Sequence, residues 1–235
     1  MELRQLPKLH FYLEGQWKMA RVTAIRADGK RLEIALDDGK TFHLQREVAI
    51  SQGLKAGQEV SEKSLEALKQ LDSFQRCYDA ASHFLGYRPR SQAEVRQRLL
   101  KRRFASADVE KVLARLTEQG LLDDLAFARF WRDSRSQLSP RSRYLTGLEL
   151  KQKGVAAETV EEVVATIDDA GSAYEAARGR AARLPKEDYQ LFRRRLVDYL
   201  RRRGFGYGVI APTVARLWQE LNSENSYLDP AGENE

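Results

Sequence analysis

The sequence predicts a mainly α-helical protein, with three tandem three-helix (helix-turn-helix-like) repeats in a curved elongated array after a small antiparallel β module. Three observations predict it. First, Leu99-Leu100-Lys101-Arg102-Arg103-Phe104, Leu150-Lys151-Gln152-Lys153-Gly154-Val155 and Leu200-Arg201-Arg202-Arg203-Gly204-Phe205 rhyme at intervals of about 50 residues. Second, the rhyme continues downstream: Val109, Val112, Leu113 and Leu116 answer to Val160, Val163, Val164 and Ile167, and then to Ile210, Thr213, Val214 and Leu217. Each copy reads as a basic helix end, a turn, one buried apolar residue and a second amphipathic helix. Self-similarity at a fixed period marks supersecondary units that bury their apolar faces on one another. Third, the hydrophobic period changes from two to helical near Ser61.

Residues 1–60 form the predicted β module. Val22 and Ala24, then Leu32, Ile34 and Leu36, then Phe42 and Leu44 alternate with polar residues, as half-buried strands do. Asp28-Gly29 and Asp38-Gly39 supply hairpin turns, and Gly53 and Gly57 bracket a further loop. Phe11, Tyr12 and Trp17 are candidates to cover the sheet. So small a module is marginal alone, so it is expected to lean on the helices.

Residues 61–71 are read as a linking helix carrying Leu65, Leu68 and Leu71, with Asp72-Ser73 as a break and new cap. The first repeat, 72–122, opens with Phe74, Cys77, Tyr78, Ala81, Phe84 and Leu85 at helical spacing. Gly86-Tyr87-Arg88-Pro89-Arg90 stops that helix, because the residue before proline is pushed out of α geometry. Ser91-Gln92-Ala93-Glu94 is a capping box, and Gly120 sits where a C′ glycine closes the third helix. The second repeat, 123–167, starts at the Asp123-Asp124 cap and carries Phe127, Ala128, Phe130 and Trp131. Ser139-Pro140 reads as its next N-cap, Gly154 as a stop, and Thr159 to Ile167 as its last helix. The third repeat, 168–222, repeats the acidic cap at Asp168-Asp169; Pro185 is expected to begin a helix running to Arg203, and Ile210 to Leu221 the last. Residues 223–235 have the composition of a disordered acidic tail.

The net charge of +6 is unevenly spread: the helical body is basic at both ends, while the tail 223–235 carries four acids and no base. A 42% hydrophobic, 31% charged chain is that of a soluble protein rich in exposed helix. It has no apolar run near the roughly 20 residues of a membrane span, and Met1 to Pro7 lacks a signal-peptide core. Cys77 is the single cysteine, which excludes a disulfide framework and points to a reducing cytoplasm.

Catalytic chemistry is hard to place. His10, His43 and His83 lack partners at metal-ligand spacing, and no Ser/His/Asp or Cys/His set is evident. Gly204-Phe205-Gly206-Tyr207-Gly208 is a very weak phosphate loop, since no strand precedes it and no Gly-Lys-Ser/Thr follows. Helix capping explains Asp123/Asp124 and Asp168/Asp169; a nuclease would need Asp123, Asp124 and Asp168 to converge on a metal. Neither enzymatic activity nor a cofactor or metal is expected.

The basic helix surface remains. On a helical wheel Phe192, Leu196, Val197, Tyr199 and Leu200 share one arc, and Arg194, Arg195, Arg201 and Arg202 cover the opposite face. Asp198 lies at three- and four-residue spacing from all four, so part of that face is expected to be self-paired. One acid leaves net positive potential, and arginine suits carboxylate and phosphate through its planar fork. The first repeat adds Arg88, Arg90, Arg96, Lys101, Arg102 and Arg103. These ten residues are the candidate binding set; a merely solvated, salt-bridged face is the alternative.

Several of these motifs resemble the RecX family, the bacterial regulators of the RecA recombinase. They are Leu85-Gly86-Tyr87-Arg88-Pro89-Arg90-Ser91 with Glu94 and Leu99, Gly120-Leu121-Leu122-Asp123-Asp124 with Phe127, Ala128 and Trp131, and the turns at Gly154 and Gly204. The match spans about residues 72–218; Gly53-Leu54-Lys55-Ala56-Gly57-Gln58 also looks like the end of the β segment that precedes the helices in some members. The resemblance implies a cytoplasmic, monomeric protein lying in the groove of the RecA–DNA filament. There it would block filament growth, strand exchange and stimulated repressor cleavage, in recombinational repair and the SOS response. Single- or double-stranded DNA would be met directly or through the filament. Arg103 stands where the family usually has glycine, so the first turn is expected to differ in geometry. A DNA-binding or architectural repeat module acting without RecA is the rival reading.

Overall fold

The computed structural model describes residues 19–185 and 188–227, with side chains to Ser223. Four strands and ten helices follow one another in these stretches. Phe11, Tyr12 and Trp17 lie outside the described residues. Two compact units emerge: one runs to Arg88 and includes Val95–Gln119, and the other holds Pro89–Glu94 and the chain from Gly120.

The first unit begins with an antiparallel sheet of order β3-β2-β1-β4, formed by β1 (Met19–Asp28), β2 (Arg31–Leu36), β3 (Thr41–Gln45) and β4 (Glu59–Ser61). Gly29 and Gly39 take positive φ at the two hairpin turns. The alternation expected through Val22 and Ala24 is interrupted: the β1–β2 register shifts between these residues, and Ile25 pairs with Ile34 and packs on the core. A bulge adds one residue and moves the inward set by one position.

A short helix that the sequence did not announce, α1 (Arg46–Ser51), buries Val48 and Ala49 beside the sheet. The long helix α2 (Glu62–Leu85) adds Leu65 and Leu68 to the same core, so the small sheet does lean on a helix. α2 runs unbroken through Asp72-Ser73, and the expected break is absent. Asp72 is instead a buried strut, accepting the Gln45 amide at 2.5 Å and the Arg31 guanidinium at 3.0 Å. Its carboxylate satisfies the end of β3, so it is not free to cap a helix.

The repeats are built from α3 (Gln92–Lys101), α4 (Ser106–Glu118), α5 (Asp124–Leu138), α6 (Arg143–Gln152), α7 (Ala157–Ala165), α8 (Asp169–Ala181), α9 (Tyr189–Arg201) and α10 (Tyr207–Tyr227). In the first unit α4 packs on α2. In the second, Phe127, Ala128, Leu150, Val155, Val160 and Val163 form one core, and Phe192, Leu196, Leu200, Phe205, Ile210, Val214 and Leu217 belong to another, with alanines of α8. These are the apolar positions of the repeat pattern.

Three helix starts differ from expectation. Ser142, not Ser139, caps α6 by accepting the Leu145 amide at 3.1 Å, leaving Ser139-Pro140 in the preceding connection. α9 begins at Tyr189 under an Asp188 cap, not at Pro185, and ends at Arg201. Asp188 accepts the Gln190 and Leu191 amides at 2.8 and 3.0 Å, two bonds that proline cannot offer. α10 starts at Tyr207 and extends to Tyr227, so residues 223–227 of the expected tail are helical; residues 228–235 lie outside the described residues.

Candidate functional site

The three rhyming segments are three copies of one helix end. Phe104, Val155 and Phe205 donate their amides to Leu99, Leu150 and Leu200 carbonyls at 3.3, 3.2 and 3.3 Å. Arg103, Gly154 and Gly204 donate to Leu100, Lys151 and Arg201, each at 2.9 Å. That pair of bonds is a Schellman motif, which needs a left-handed residue at C′. The φ angles are +64° at Arg103, +76° at Gly154 and +84° at Gly204. The first turn therefore keeps the glycine geometry despite its arginine, against expectation, and Arg103 is the one non-glycine residue with positive φ among the described residues.

This motif places the basic side chains. Lys101, Arg102 and Arg103 are exposed around the first turn, and Arg201 and Arg202 around the third. Arg194 and Arg195 are exposed on α9, whose buried face is Phe192, Leu196 and Leu200. Among the described residues, Asp198 forms no ion pair with Arg194, Arg195, Arg201 or Arg202, so the expected self-pairing is absent. Arg203 is committed differently: its guanidinium lies 3.9 Å from the Tyr199 ring centroid. Arg96 is held by Glu110 through two bonds of 2.8 and 3.0 Å, and that arginine keeps the Glu110 carboxyl below its usual range. Arg88 and Arg90 are half-buried in the connection between α2 and α3. Five of the ten candidates thus stand at two basic turns, one in each unit: Lys101, Arg102 and Arg103 at one, Arg201 and Arg202 at the other, with Arg194 and Arg195 on the helix that leads into it.

The acidic pairs have a specific structural task. Asp123 and Asp168 cap their own helices, accepting Leu125 and Ala170 amides at 2.8 and 3.0 Å. Asp124 and Asp169 reach back to the preceding copy, accepting the first amides of α3 and α6, Gln92 N at 2.8 Å and Arg143 N at 2.7 Å. Within the second unit each copy is also stapled to the next copy's turn. Ser91 donates its hydroxyl to the Lys153 carbonyl at 2.6 Å, and Lys153 Nζ meets Glu94 at 2.9 Å. The Ser142 amide donates to the Arg203 carbonyl at 3.1 Å.

Sequence reasoning missed Glu149. Its carboxylate, largely buried on α6, accepts Trp131 Nε1 and Arg135 Nε, both at 2.8 Å, and pairs with Arg141. Burial, reinforced by the charges of Arg135 and Arg203, holds the Arg141 pKa below its usual value. No residue spacing flags this network, because its members come from α5, α6 and the connection between them.

Other chemistry is sparse. Cys77 is buried, and burial with the Asp108 charge pushes its thiol up to about 11, far from thiolate character at neutral pH. Among the described residues no group of three or more His, Cys, Asp or Glu is placed to hold a metal ion. No helix among them is long and apolar enough to cross a membrane.

Comparison with known proteins bears on what this scaffold is. Residues 77–116 match the family model for the first three-helix domain of RecX, and residues 123–164 that for the second. Regulatory protein RecX of Chlorobium phaeobacteroides (strain BS1) is 31% identical over 144 residues, covering 61% of this chain and 95% of that protein. Its counterpart in Prosthecochloris aestuarii is 36% identical over 142 residues, covering 60% and 93%. That of Bacillus velezensis is 25% identical over 210 residues, covering 88% and 80%. A crystal structure of regulatory protein RecX superposes with a TM-score of 0.62 at 22% identity, over 81% of this chain and 96% of that one. RecX from Lactobacillus salivarius gives a TM-score of 0.56 at 21% identity, covering 63% and 97%. The structures share the fold, and relatives of 31% and 36% identity are matched over 95% and 93% of their length: the chain belongs to the RecX family.

Proposed function

We propose that this chain is a non-enzymatic regulator of the RecA recombinase, binding the RecA–DNA filament in the cytoplasm and inhibiting its recombinase, ATPase and co-protease activities. Family membership supports the regulatory role. The observation that carries the mechanism is the pair of basic turns whose arginines have no acidic partner among the described residues, Arg102 and Arg103 at one and Arg201 and Arg202 at the other. Each presents guanidinium forks beside a rigid Schellman turn, ready for carboxylates of the filament or phosphates of its DNA. One such contact is weak in water. Several along a polymer reinforce one another through effective concentration.

Titration of the chain into RecA's DNA-dependent ATPase tests this. Sub-stoichiometric protein should suppress the activity, and the double reversal Arg201→Glu with Arg202→Glu should relieve the suppression. Full inhibition by the double variant would remove this turn from the mechanism.

The unpaired state of Arg194, Arg195, Arg201 and Arg202 also favours a second reading, a DNA-binding repeat module that acts without RecA. Gel shifts on naked DNA across a salt series separate the two. Tight binding that falls steeply with salt would favour direct DNA binding.

A further inference from the structure

The third turn leads into its next helix through an aromatic residue, and the other two do not. The opening residue is Ser106 for α4, Ala157 for α7 and Tyr207 for α10. Tyr207 is 63% exposed, yet its hydroxyl is fixed, accepting a hydrogen bond from Arg193 at 2.9 Å. The ring is therefore oriented without being covered. Two other tyrosines of this unit are occupied by cations, Arg203 at 3.9 Å from the Tyr199 centroid and Arg216 at 4.2 Å from that of Tyr174. Tyr207 carries no such cation among the described residues.

Its surroundings are open. A Cβ built on Gly206 or Gly208 would meet nothing within 4 Å, so backbone on both sides of the tyrosine can be approached closely. Gly206 has no side chain to cap α10, which leaves the positive end of a 21-residue helix beside the ring. Arg201 and Arg202, with exposed guanidinium groups, stand at the other side of the same turn. The flanks of Tyr207 in the chain are glycines, and its hydroxyl is held by an arginine.

We infer that Tyr207 is a stacking platform for one base of a single-stranded nucleic acid, with Arg201, Arg202 and the start of α10 holding the adjoining phosphates. An oriented, bare aromatic face beside cations is the arrangement that binds single strands without sequence preference. A base inside a duplex keeps both faces stacked on its neighbours, so the platform discriminates against double strands. The assignment uses the basic turn on which the filament reading rests, and RecA is left out of its first test so that the two can fail separately.

The test is fluorescence anisotropy of the full chain with three labelled probes at one salt concentration: an oligothymidylate, an abasic deoxyribose-phosphate strand of equal length, and a duplex. The oligothymidylate should bind tightest. Tyr207→Leu should weaken that probe by about fivefold or more while leaving the abasic strand unchanged. Tyr207→Trp, which keeps an aromatic face, should retain the preference, and Arg201→Glu with Arg202→Glu should weaken all three probes. Equal binding of thymidylate and abasic strands by the parent protein would overturn the platform. So would unchanged thymidylate affinity in Tyr207→Leu; if that variant also inhibited the RecA ATPase less, the ring would belong to a protein contact instead.

Discussion

The turns at Gly154 and Gly204 and the turn at Arg103 have the same backbone and different neighbours. A Cβ on Gly154 would sit 2.4 Å from Ala93 Cβ, and one on Gly204 would sit 2.6 Å from Ser142 Oγ and 2.7 Å from Leu145 Cβ. Each glycine is pressed by the helix start of the preceding copy. Arg103 is exposed and ends the first such helix, with no earlier copy to press on it. Glycine thus answers two demands at the inner turns, a left-handed φ and close approach, and only the first applies at Arg103. An arginine can meet that one demand at a cost of about 1–2 kcal/mol. The repeat is specified by its joints more than by its turns.

The largest effect should come from breaking a joint. Gly154→Ala or Gly204→Ala combines the left-handed penalty with an overlap against a neighbouring helix, so each should lower stability by roughly 2–5 kcal/mol. Gly120→Ala is the control: its φ is +67°, with nothing within 4 Å of the added Cβ. It should cost only about 1 kcal/mol. Urea midpoints of the three variants measure the difference; equal losses would mean that the close approach adds nothing.

A smaller loss should follow from removing the acid that reaches between copies. Asp169→Ala orphans the Arg143 amide, accepted at 2.7 Å, and frees the Arg143 side chain from its ion pair. An unpaired backbone donor costs about 1–3 kcal/mol, and part of it is recovered from water at this exposed joint. A loss of about 1 kcal/mol in urea is expected. Asp169→Asn retains an acceptor and should recover most of it, which an effect of charge alone would not allow.

These joints explain which parts of the molecule were legible in the sequence. The repeat could be read because Leu200, Gly204 and Phe205 recur as residue types with fixed spacing, and each type is tied to one backbone bond or one core position. The β strands were legible as alternation until the bulge at Val22 and Ala24 shifted the phase, which no local signal announces. Asp72 was misread because a polar residue in a helical run is ambiguous locally; the buried Arg31 and Gln45 contacts that decide its role come from the sheet. Asp124 and Asp169 were read as caps, yet their partners lie 32 and 26 residues upstream, beyond any capping pattern. Among the basic residues, spacing identified the exposed α9 face. It could not tell that Arg203 stacks on a tyrosine or that Asp198 stands apart from its neighbours.

Arg103→Gly should move stability the other way. It relieves about 1–2 kcal/mol of left-handed strain and returns about 0.5–1 kcal/mol through the greater freedom of glycine in the unfolded chain. The net gain should be about 0.5–1 kcal/mol in the urea midpoint. A loss would mean that the Arg103 side chain makes stabilising contacts that its exposure does not indicate. The same variant removes one cation from the first basic turn, so a gain in stability with weaker inhibition of the RecA ATPase would separate the fold's demand at that position from the binding demand.

The smallest effect on folding is expected where the effect on binding should be large. Arg201 and Arg202 lie on the third Schellman turn, but the joint there is made by the Arg203 carbonyl and by Gly204, not by their side chains. Both guanidinium groups are exposed, and surface charges of this kind contribute about 0–1 kcal/mol. Arg201→Glu with Arg202→Glu should therefore leave the urea midpoint within about 0.5 kcal/mol of the parent. Its lowered positive potential should still flatten the salt dependence of any DNA binding. A double variant that unfolded early would show that these arginines belong to the joint, and the division between a glycine-built scaffold and an arginine-built surface would fail at the turn where it is drawn most sharply.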